Sequence, residues 1–306
     1  MQIDFHHTVI YVLARIANFN HHDANIISYS SQYVDDATNF GFIHFDNDNL
    51  YFRISSAHKT LDARNFENSL DHMVWLPFHF LPGNVNTAIK KSGTDDEKFT
   101  CSANSKVAQE MINDTFKYRN KPYALHKLGI SLHTYADTWA HSGFAGIISD
   151  INKARLIEDK KTPWYRILLD KIVGFFIGEL LPLGHATVLS NPDLPYLQWK
   201  YKNYKNETVV RNNSREFLEA ACNIYSVLVS YNKGLKKIKQ FKLNNKDKNT
   251  IYNLFITLTD ENAKARHEKW LKAIKDGSFS FGKSKLSYIA KGKGSWKYEA
   301  IGTENE

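Results

Sequence analysis

The segment 122–143 constrains the fold of this 306-residue chain more than any other part of it. Pro122 stands where a first-turn proline is tolerated, no proline interrupts 123–139, and Gly143 offers a C-terminal stop. The pattern therefore predicts a long helix around which the rest of the chain must pack.

Helical periodicity also dominates the remaining sequence. Further helices are predicted at 9–16, 24–37, 163–181, 213–232 and 248–275, the last closed by Gly277. Aromatic and polar residues alternate near 40–56, which predicts a short extended hairpin. Turn-forming residues fill 82–105, which predicts an exposed loop. We expect an all-α fold, a multi-helix bundle with this one hairpin.

The charge is divided unevenly along the chain. Residues 1–199 hold 18 Lys and Arg against 21 Asp and Glu, whereas residues 200–306 hold 22 against 11. Twelve of the 13 histidines lie at or before His185. The two cysteines, Cys101 and Cys222, are too few for a disulfide framework and argue against a cysteine-ligated zinc site.

The start of the chain and its most apolar stretch indicate where the protein is expected to be located. The start of the chain lacks the basic residues and the cleavage site of a classical signal peptide, so we expect a cytoplasmic protein or export by a route independent of a signal peptide. The stretch 167–189 is interrupted by charged residues and predicts a core helix, with a membrane-touching helix as the alternative.

The predicted helix at 122–143 contains the spacing His-x3-Asp-x3-His, formed by His133, Asp137 and His141. Side chains four residues apart lie one above the other on a helix, so His133 and Asp137 can hold one ion. His141 lies on the shoulder of that face, and a carboxylate between two imidazoles can bridge neighbouring metals. Alternatively, these are hydrogen-bonded polar residues. His126, on the same face, is predicted to orient a ligand.

Four other segments supply histidine or aspartate at a helix end or in a loop, and we expect them to converge on this helix. The residues are Asp4, His6, His7, Asp35, Asp36, His79, His185 and Asp193.

The segments DFHHTVIYVLARIANF, SQYVDDA, VWLPFHFLPGN, ALHKLGISLHTYADTWAHSGFAG and GHATVLSNPDLPYLQW resemble a bacterial family of uncharacterised-domain proteins. These in turn are similar to the zinc-dependent phospholipases C and the single-strand zinc nucleases, which share an all-α fold with a metal cleft. The closer resemblance covers residues 1 to about 200. It implies two or three zinc ions as cofactors.

The resemblance also implies ligands in the first half of the chain. The N-terminal ligand matches His6, with His7 as the alternative because adjacent helical residues point about 100° apart. The aspartate that closes an early helix matches Asp35, with Asp36 beside it as the alternative. The next histidine matches His79, for which the competing residues are His58 and His44.

The central helix matches the motif in which His133 and Asp137 bind metal and Asp137 bridges two zinc ions. His141, His185 and Asp193 match the ligands of the remaining zinc. The family's processed N-terminal tryptophan has no counterpart here, and we expect Asp4 to substitute for it.

The resemblance implies a zinc-dependent phosphoric diester hydrolase, a phospholipase C that converts phosphatidylcholine-type lipids to diacylglycerol and a phosphorylated headgroup. We expect Asp35 to orient or deprotonate the attacking water. One alternative is a single-strand nuclease, with nucleic acid as substrate, and another is a non-catalytic, metal-stabilised protein that binds anionic surfaces. Contact with a membrane is predicted through the segment 196–206 or the apolar helix before His185.

The chain is predicted to comprise three parts. Residues 1–200 form a metal-binding catalytic helical core, residues 201–280 form a basic helical part packed on that core, and residues 281–306 form a loosely ordered tail.

Overall fold

The computed structural model describes residues 1–58, 68–83, 95–157 and 183–302. The helix predicted at 163–181, and with it most of the apolar stretch before His185, lies outside these ranges. So does the middle of the loop predicted over 82–105.

Helices account for most of the described secondary structure. A π-helical turn, Asp4–Val9, runs directly into the first helix. The helices are α1 (Ile10–Ile16), α2 (His21–Asp36), α3 (Asn68–Phe78), α4 (Lys106–Thr115), α5 (Ala124–Ala140), α6 (Asn213–Asn232), α7 (Asn245–Thr257), α8 (Ala263–Asp276) and α9 (Trp296–Ile301).

Short polar side chains fix where many of these helices begin. Each accepts a hydrogen bond from a backbone N–H of the first turn, which has no partner within the helix. The capping residues are Asn20, Ser105, Asn212, Asn244, Asn262 and Ser295.

The predicted central helix is present as α5 and packs closely on α2. A Cβ at Gly129 would lie 2.3 Å from the Ile27 carbonyl oxygen and 2.7 Å from the Ser30 Cβ, so only glycine allows this approach. Because α2 ends with Asp35 and Asp36 and α5 carries His133, the close packing sets the distance between candidate ligands.

The single helix predicted at 248–275 is in fact two, α7 and α8. The break at Leu258–Asn262 arises because the Asn262 side chain accepts from the Lys264 N–H and starts a new helix. Gly277 ends α8 in the left-handed conformation, with φ of 82°, as its position predicts.

The prediction of an all-α fold is wrong, because the described part of the chain is a mixed α and β structure with two antiparallel sheets. The hairpin expected near 40–56 is present as β1 (Gly41–His44) and β2 (Leu50–Arg53). A second sheet, with the order β3-β4-β5, is formed by β3 (Arg155–Leu156), β4 (Gln198–Lys202) and β5 (Thr208–Asn212).

The second sheet buries the aromatic residues of the segment 196–206. Trp199 and Tyr201 are 8% and 3% exposed and pack with Phe80 and Phe144 in a small core of their own. This segment therefore does not offer those two rings to a membrane, contrary to one of the interfacial roles predicted for it.

The main apolar core draws on both sides of residue 200. Leu128 and Tyr135 of α5 share it with Ile224 of α6 and Trp270 of α8. The division into a core, a basic part and a tail stays a prediction. Beyond residue 280, the Tyr29 hydroxyl donates to the Ile289 carbonyl at 2.6 Å, so that segment lies against α2.

No helix within the described residues combines the length and apolar character needed to cross a bilayer.

Candidate metal centre

Three groups of side chains bring histidine and aspartate atoms to within 4.8 Å of one another among the described residues. The first group is His6, His133 and Asp137; the second is Asp35, His79 and His133; the third is His141, His185 and Asp193. All eight are residues that the sequence analysis proposed as metal ligands.

Helix α5 connects the groups. His133 and Asp137 lie one turn apart, with His133 Nε2 3.4 Å from Asp137 Oδ2, and His141 caps the C-terminal end of the helix. His133 and Asp137 are 0% and 1% exposed. A buried carboxylate needs a partner of opposite charge or a cation, and a buried imidazole needs hydrogen-bond partners or a cation.

Asp137 faces two groups with its two oxygens. Oδ1 lies 3.1 Å from His6 Nε2, and Oδ2 lies 3.2 Å from His79 Nδ1. A carboxylate in this position can contribute one oxygen to each of two ions. The arrangement agrees with the bridging role that the sequence resemblance implies for Asp137.

The choice between His6 and His7 is decided by the π-helical turn at the start of the chain. The His6 ring stacks on His133, with centroids 3.8 Å apart, and its Nε2 faces Asp137 Oδ1 at 3.1 Å. His7 points away and pairs with His267 through a contact of 2.9 Å between Nδ1 and Nε2. His6 is therefore the candidate ligand.

Backbone carbonyls orient the imidazoles of the second group. The Ser31 carbonyl accepts from His133 Nδ1, and the Ser56 carbonyl accepts from His79 Nε2, both at 2.8 Å. Since a carbonyl can only accept, each donating nitrogen carries the proton. The other two nitrogens, His133 Nε2 and His79 Nδ1, lie 3.3 Å apart, and the Asp137 carboxylate accepts from His79 Nδ1 at 3.2 Å. Such an arrangement favours a shared cation or proton.

The third group is oriented in the same way. His141 Nδ1 donates to the His79 carbonyl and His185 Nδ1 donates to the Leu189 carbonyl, both at 2.7 Å. Their Nε2 atoms each lie 3.5 Å from an oxygen of Asp193. Leu189 adopts φ of 54°, a strained value for a leucine, which turns its carbonyl towards His185.

The electrostatics of the centre suit cation binding. The α-amino group of Met1 lies 2.6 Å from Asp137 Oδ1 and 3.0 Å from Asp193 Oδ1. Burial alone would lower the pKa of this amine, but the two carboxylates outweigh it and raise the pKa to about 11. The position between Asp137 and Asp193 therefore attracts positive charge.

Two of the imidazoles are held in the neutral form that metal binding requires. Burial lowers the pKa of His185 to about 4. Burial, followed by the neighbouring His133, also lowers the pKa of His6 well below its usual value. For Asp137, burial alone would raise the pKa, but the Met1 amine and the surrounding histidines hold it well below the usual range.

Asp35 lies at the open side of the centre. Its side chain is 32% exposed, whereas the side chains of His79 and His133 are 6% and 0% exposed. Asp35 Oδ1 lies 3.7 Å from His133 Nε2. Solvent therefore reaches the second group past this carboxylate.

The other candidates take no part in the three groups, and Asp4 is the clearest correction. Its carboxylate accepts from Arg266 Nε at 2.6 Å, with both side chains buried, so it does not replace the family's N-terminal residue. Asp36 accepts from the Tyr288 hydroxyl at 2.6 Å instead.

The three remaining histidines also lie outside the groups. His58 is buried with its ring 6.0 Å from that of Trp75, and His44 is exposed on β1. His126 packs against Trp296, with centroids 5.0 Å apart. The orienting role predicted for His126 is filled instead by backbone carbonyls.

The sequence analysis did not identify the Met1 amine or the carbonyls of Ser31, Ser56 and Leu189. Any residue type can supply a carbonyl, so only the path of the chain reveals these partners. The strained φ of Leu189 has no signature in the sequence either.

Comparison with known proteins gives one finding. The model of a family of unknown function (DUF6765) matches residues 1–306. The chain belongs to this family. No curated protein and no solved structure matches the chain significantly.

Proposed function

We propose that this protein is a metal-dependent phosphodiester hydrolase that uses zinc, most closely a phospholipase C. One observation carries the proposal: the two oxygens of Asp137 face two different histidine groups, and Asp193 extends the cluster to a third. Three adjoining sets of imidazole and carboxylate ligands suit several closely spaced zinc ions better than they suit a single structural ion.

The residues present fit such ions. His79 Nδ1 and His133 Nε2 lie 3.3 Å apart, His6 Nε2 lies 3.1 Å from Asp137 Oδ1, and a cationic amine already lies between Asp137 and Asp193. When bound, the ions would supply Lewis-acid activation of the phosphate and a nucleophile at neutral pH.

Asp35 is the residue proposed to handle the proton. Its partly exposed carboxylate belongs to the second group, where it can orient an entering water and accept a proton from it at Oδ1. The water oxygen forms a bond to phosphorus while the bond from phosphorus to the leaving oxygen breaks. Solvent then protonates the leaving oxygen.

The proposed substrate is a phosphatidylcholine-type lipid, which would yield diacylglycerol and a phosphorylated headgroup. This choice rests on the sequence resemblance. Single-stranded nucleic acid is the second candidate substrate, on the same resemblance. For the compartment, we propose the cytoplasm or export without a classical signal peptide.

The test is hydrolysis of a chromogenic phosphodiester by the full chain, with phosphatidylcholine and single-stranded DNA assayed in parallel. We expect chelation to abolish turnover and zinc to restore it. His133→Asn should lower kcat by roughly a hundredfold or more, because loss of a ligand should cost at least as much as loss of a residue that orients one.

His126→Asn is the control, since His126 lies on the same helix but outside the three groups, and it should keep wild-type activity. Turnover that survives in His133→Asn without metal would refute the proposal. Salt-sensitive binding of an anionic surface with no product released would favour the non-catalytic alternative.

A further inference from the structure

The third group is assembled from separate segments of the chain. His141 caps the C-terminal end of α5, whereas Asp193 lies in the short helical turn Asn191–Asp193. The carbonyls of His79 and Leu189 orient the two imidazoles of the group, but neither of these hydrogen bonds joins the end of α5 to that turn. The distance between the ligands therefore depends on other contacts.

Arg211, near the end of β5, holds the C-terminal end of α5. Its guanidinium donates to the carbonyls of Trp139, Ala140 and Ser142 at 2.8, 3.2 and 3.3 Å. The last carbonyls of a helix have no partner within the helix, so a buried cationic donor is well placed there. Arg211 is 6% exposed. The three carbonyls lie on both sides of His141, so Arg211 fixes the backbone that carries this ligand.

Asn213, the first residue of α6, holds the turn that carries Asp193. Its side-chain amide donates to the Asn191 carbonyl at 2.6 Å and to the Leu194 carbonyl at 2.8 Å, which lie on the two sides of Asp193. Its side-chain oxygen accepts from Trp199 Nε1 at 3.0 Å. Asn213 is 0% exposed, and both donors and the acceptor of its amide are engaged.

These two residues belong to one junction between β5 and α6, which is fixed by its own hydrogen bonds. The Asn212 side chain, between them, accepts from the Arg215 N–H and caps α6. Glu216 accepts from Arg211 Nε at 2.9 Å and from the Asn212 N–H at 3.3 Å. One junction therefore holds both sides of the third group at a set distance.

We propose that Arg211 and Asn213 are positioning residues of the third group, and that without them this group alone loses its ion. In the described part of the chain, their hydrogen bonds reach no residue of the first two groups. His133 and Asp137 lie further inside α5, in its regular hydrogen-bonded part. The proposal rests on the metal centre of the proposed function.

The test is the zinc content of the full chain after dialysis against zinc and removal of free metal. Arg211→Met and Asn213→Ala should each retain one zinc ion fewer per chain than the wild type. Competition with a chelator should show an affinity for the last ion that is weaker by about tenfold or more, as for other residues that orient a ligand. Arg211→Lys keeps the charge beside Glu216 but lacks the planar fork, so this milder variant should show the same loss.

Two matched controls remove the same kinds of contact at the other end of α6. Arg119 donates to the carbonyls of Ser230 and Leu235, and Asn232 donates to the Ala17 carbonyl at 2.9 Å. Arg119→Met and Asn232→Ala should therefore keep the wild-type zinc content.

Thermal unfolding with and without zinc distinguishes positioning from general support of the fold. Loss of a purely structural contact would lower the Tm of the zinc-free and zinc-loaded proteins equally. Loss of positioning should instead reduce the rise in Tm that zinc produces, because an ion that binds the folded state more weakly stabilises it less.

An unchanged zinc content in Arg211→Lys and Asn213→Ala would overturn the proposal, and so would an equal loss of zinc in the controls. If the wild type holds zinc and these variants hold as much, the proposed function is untouched and only this inference fails. A wild type that binds its full set of ions but hydrolyses no phosphodiester would refute the proposed function and leave the positioning roles in place.

Discussion

At the scale of single residues, the candidate metal centre depends on which nitrogen of each imidazole faces it. Four histidines donate one N–H to a backbone carbonyl and thereby direct the other nitrogen inward. The spacing of His133 and Asp137 could be predicted from the sequence because helix geometry dictates it. The choice of His6 over His7 could not, because it depends on a π-helical turn and on the partner of His7, His267, 260 residues away.

The contacts of Arg266 could not be predicted from the sequence. It holds Asp4 at 2.6 Å and donates to the Asp260 carbonyl, which fixes the turn that carries His6. Arg266→Met leaves the buried Asp4 carboxylate without its cationic partner. We therefore expect the free energy of unfolding, measured by urea denaturation, to fall by about 3–5 kcal/mol. The double variant Asp4→Asn/Arg266→Met should lose less stability than Arg266→Met, because no unpaired buried charge remains. Wild-type stability in Arg266→Met would show that the pair does not hold this turn.

At the scale of secondary structure elements, the contact between α2 and α5 sets the geometry of the centre. We expect Gly129→Ala to destabilise the protein by about 1–3 kcal/mol, because the new Cβ would overlap the Ile27 carbonyl. In an open helix the same change would stabilise by up to about 1 kcal/mol, so the sign is diagnostic. Ile130→Ala, at an exposed position of α5, is the control for thermal denaturation. An increase in stability in Gly129→Ala would contradict the close packing.

Helices α1, α2, α5 and α6 could be predicted because their apolar spacing is local, whereas no such spacing led to a prediction of α3, α4 or α9. The three-stranded sheet could not be predicted as readily, because β3 is only two residues long and pairs with a strand more than forty residues away. In β4, Trp199 and Tyr201 alternate with Lys200 and Lys202, which is the pattern of a half-buried strand. The charges of 196–206 predict contact with a membrane, whereas the period of two in β4 turns Trp199 and Tyr201 inward.

At the scale of the whole molecule, the uneven distribution of charge along the chain corresponds to the position of the candidate metal centre. Three acidic residues of 1–199, Asp35, Asp137 and Asp193, lie among histidines where cations would balance their charge. The excess of basic residues lies in 200–306, whereas all eight residues of the three groups lie before residue 200. The net charge of +8 is therefore not the charge of the candidate centre.

The central claim is that the three histidine and aspartate groups bind metal together, and the zinc content of the purified full chain tests it most directly. After dialysis against zinc and removal of free metal, mass spectrometry of the digested protein should find two or three zinc ions per chain, in line with three adjoining groups. Asp137→Asn should lose at least one ion, whereas His126→Asn should keep the wild-type content. Less than one zinc ion per chain, or an unchanged content in Asp137→Asn, would contradict the account.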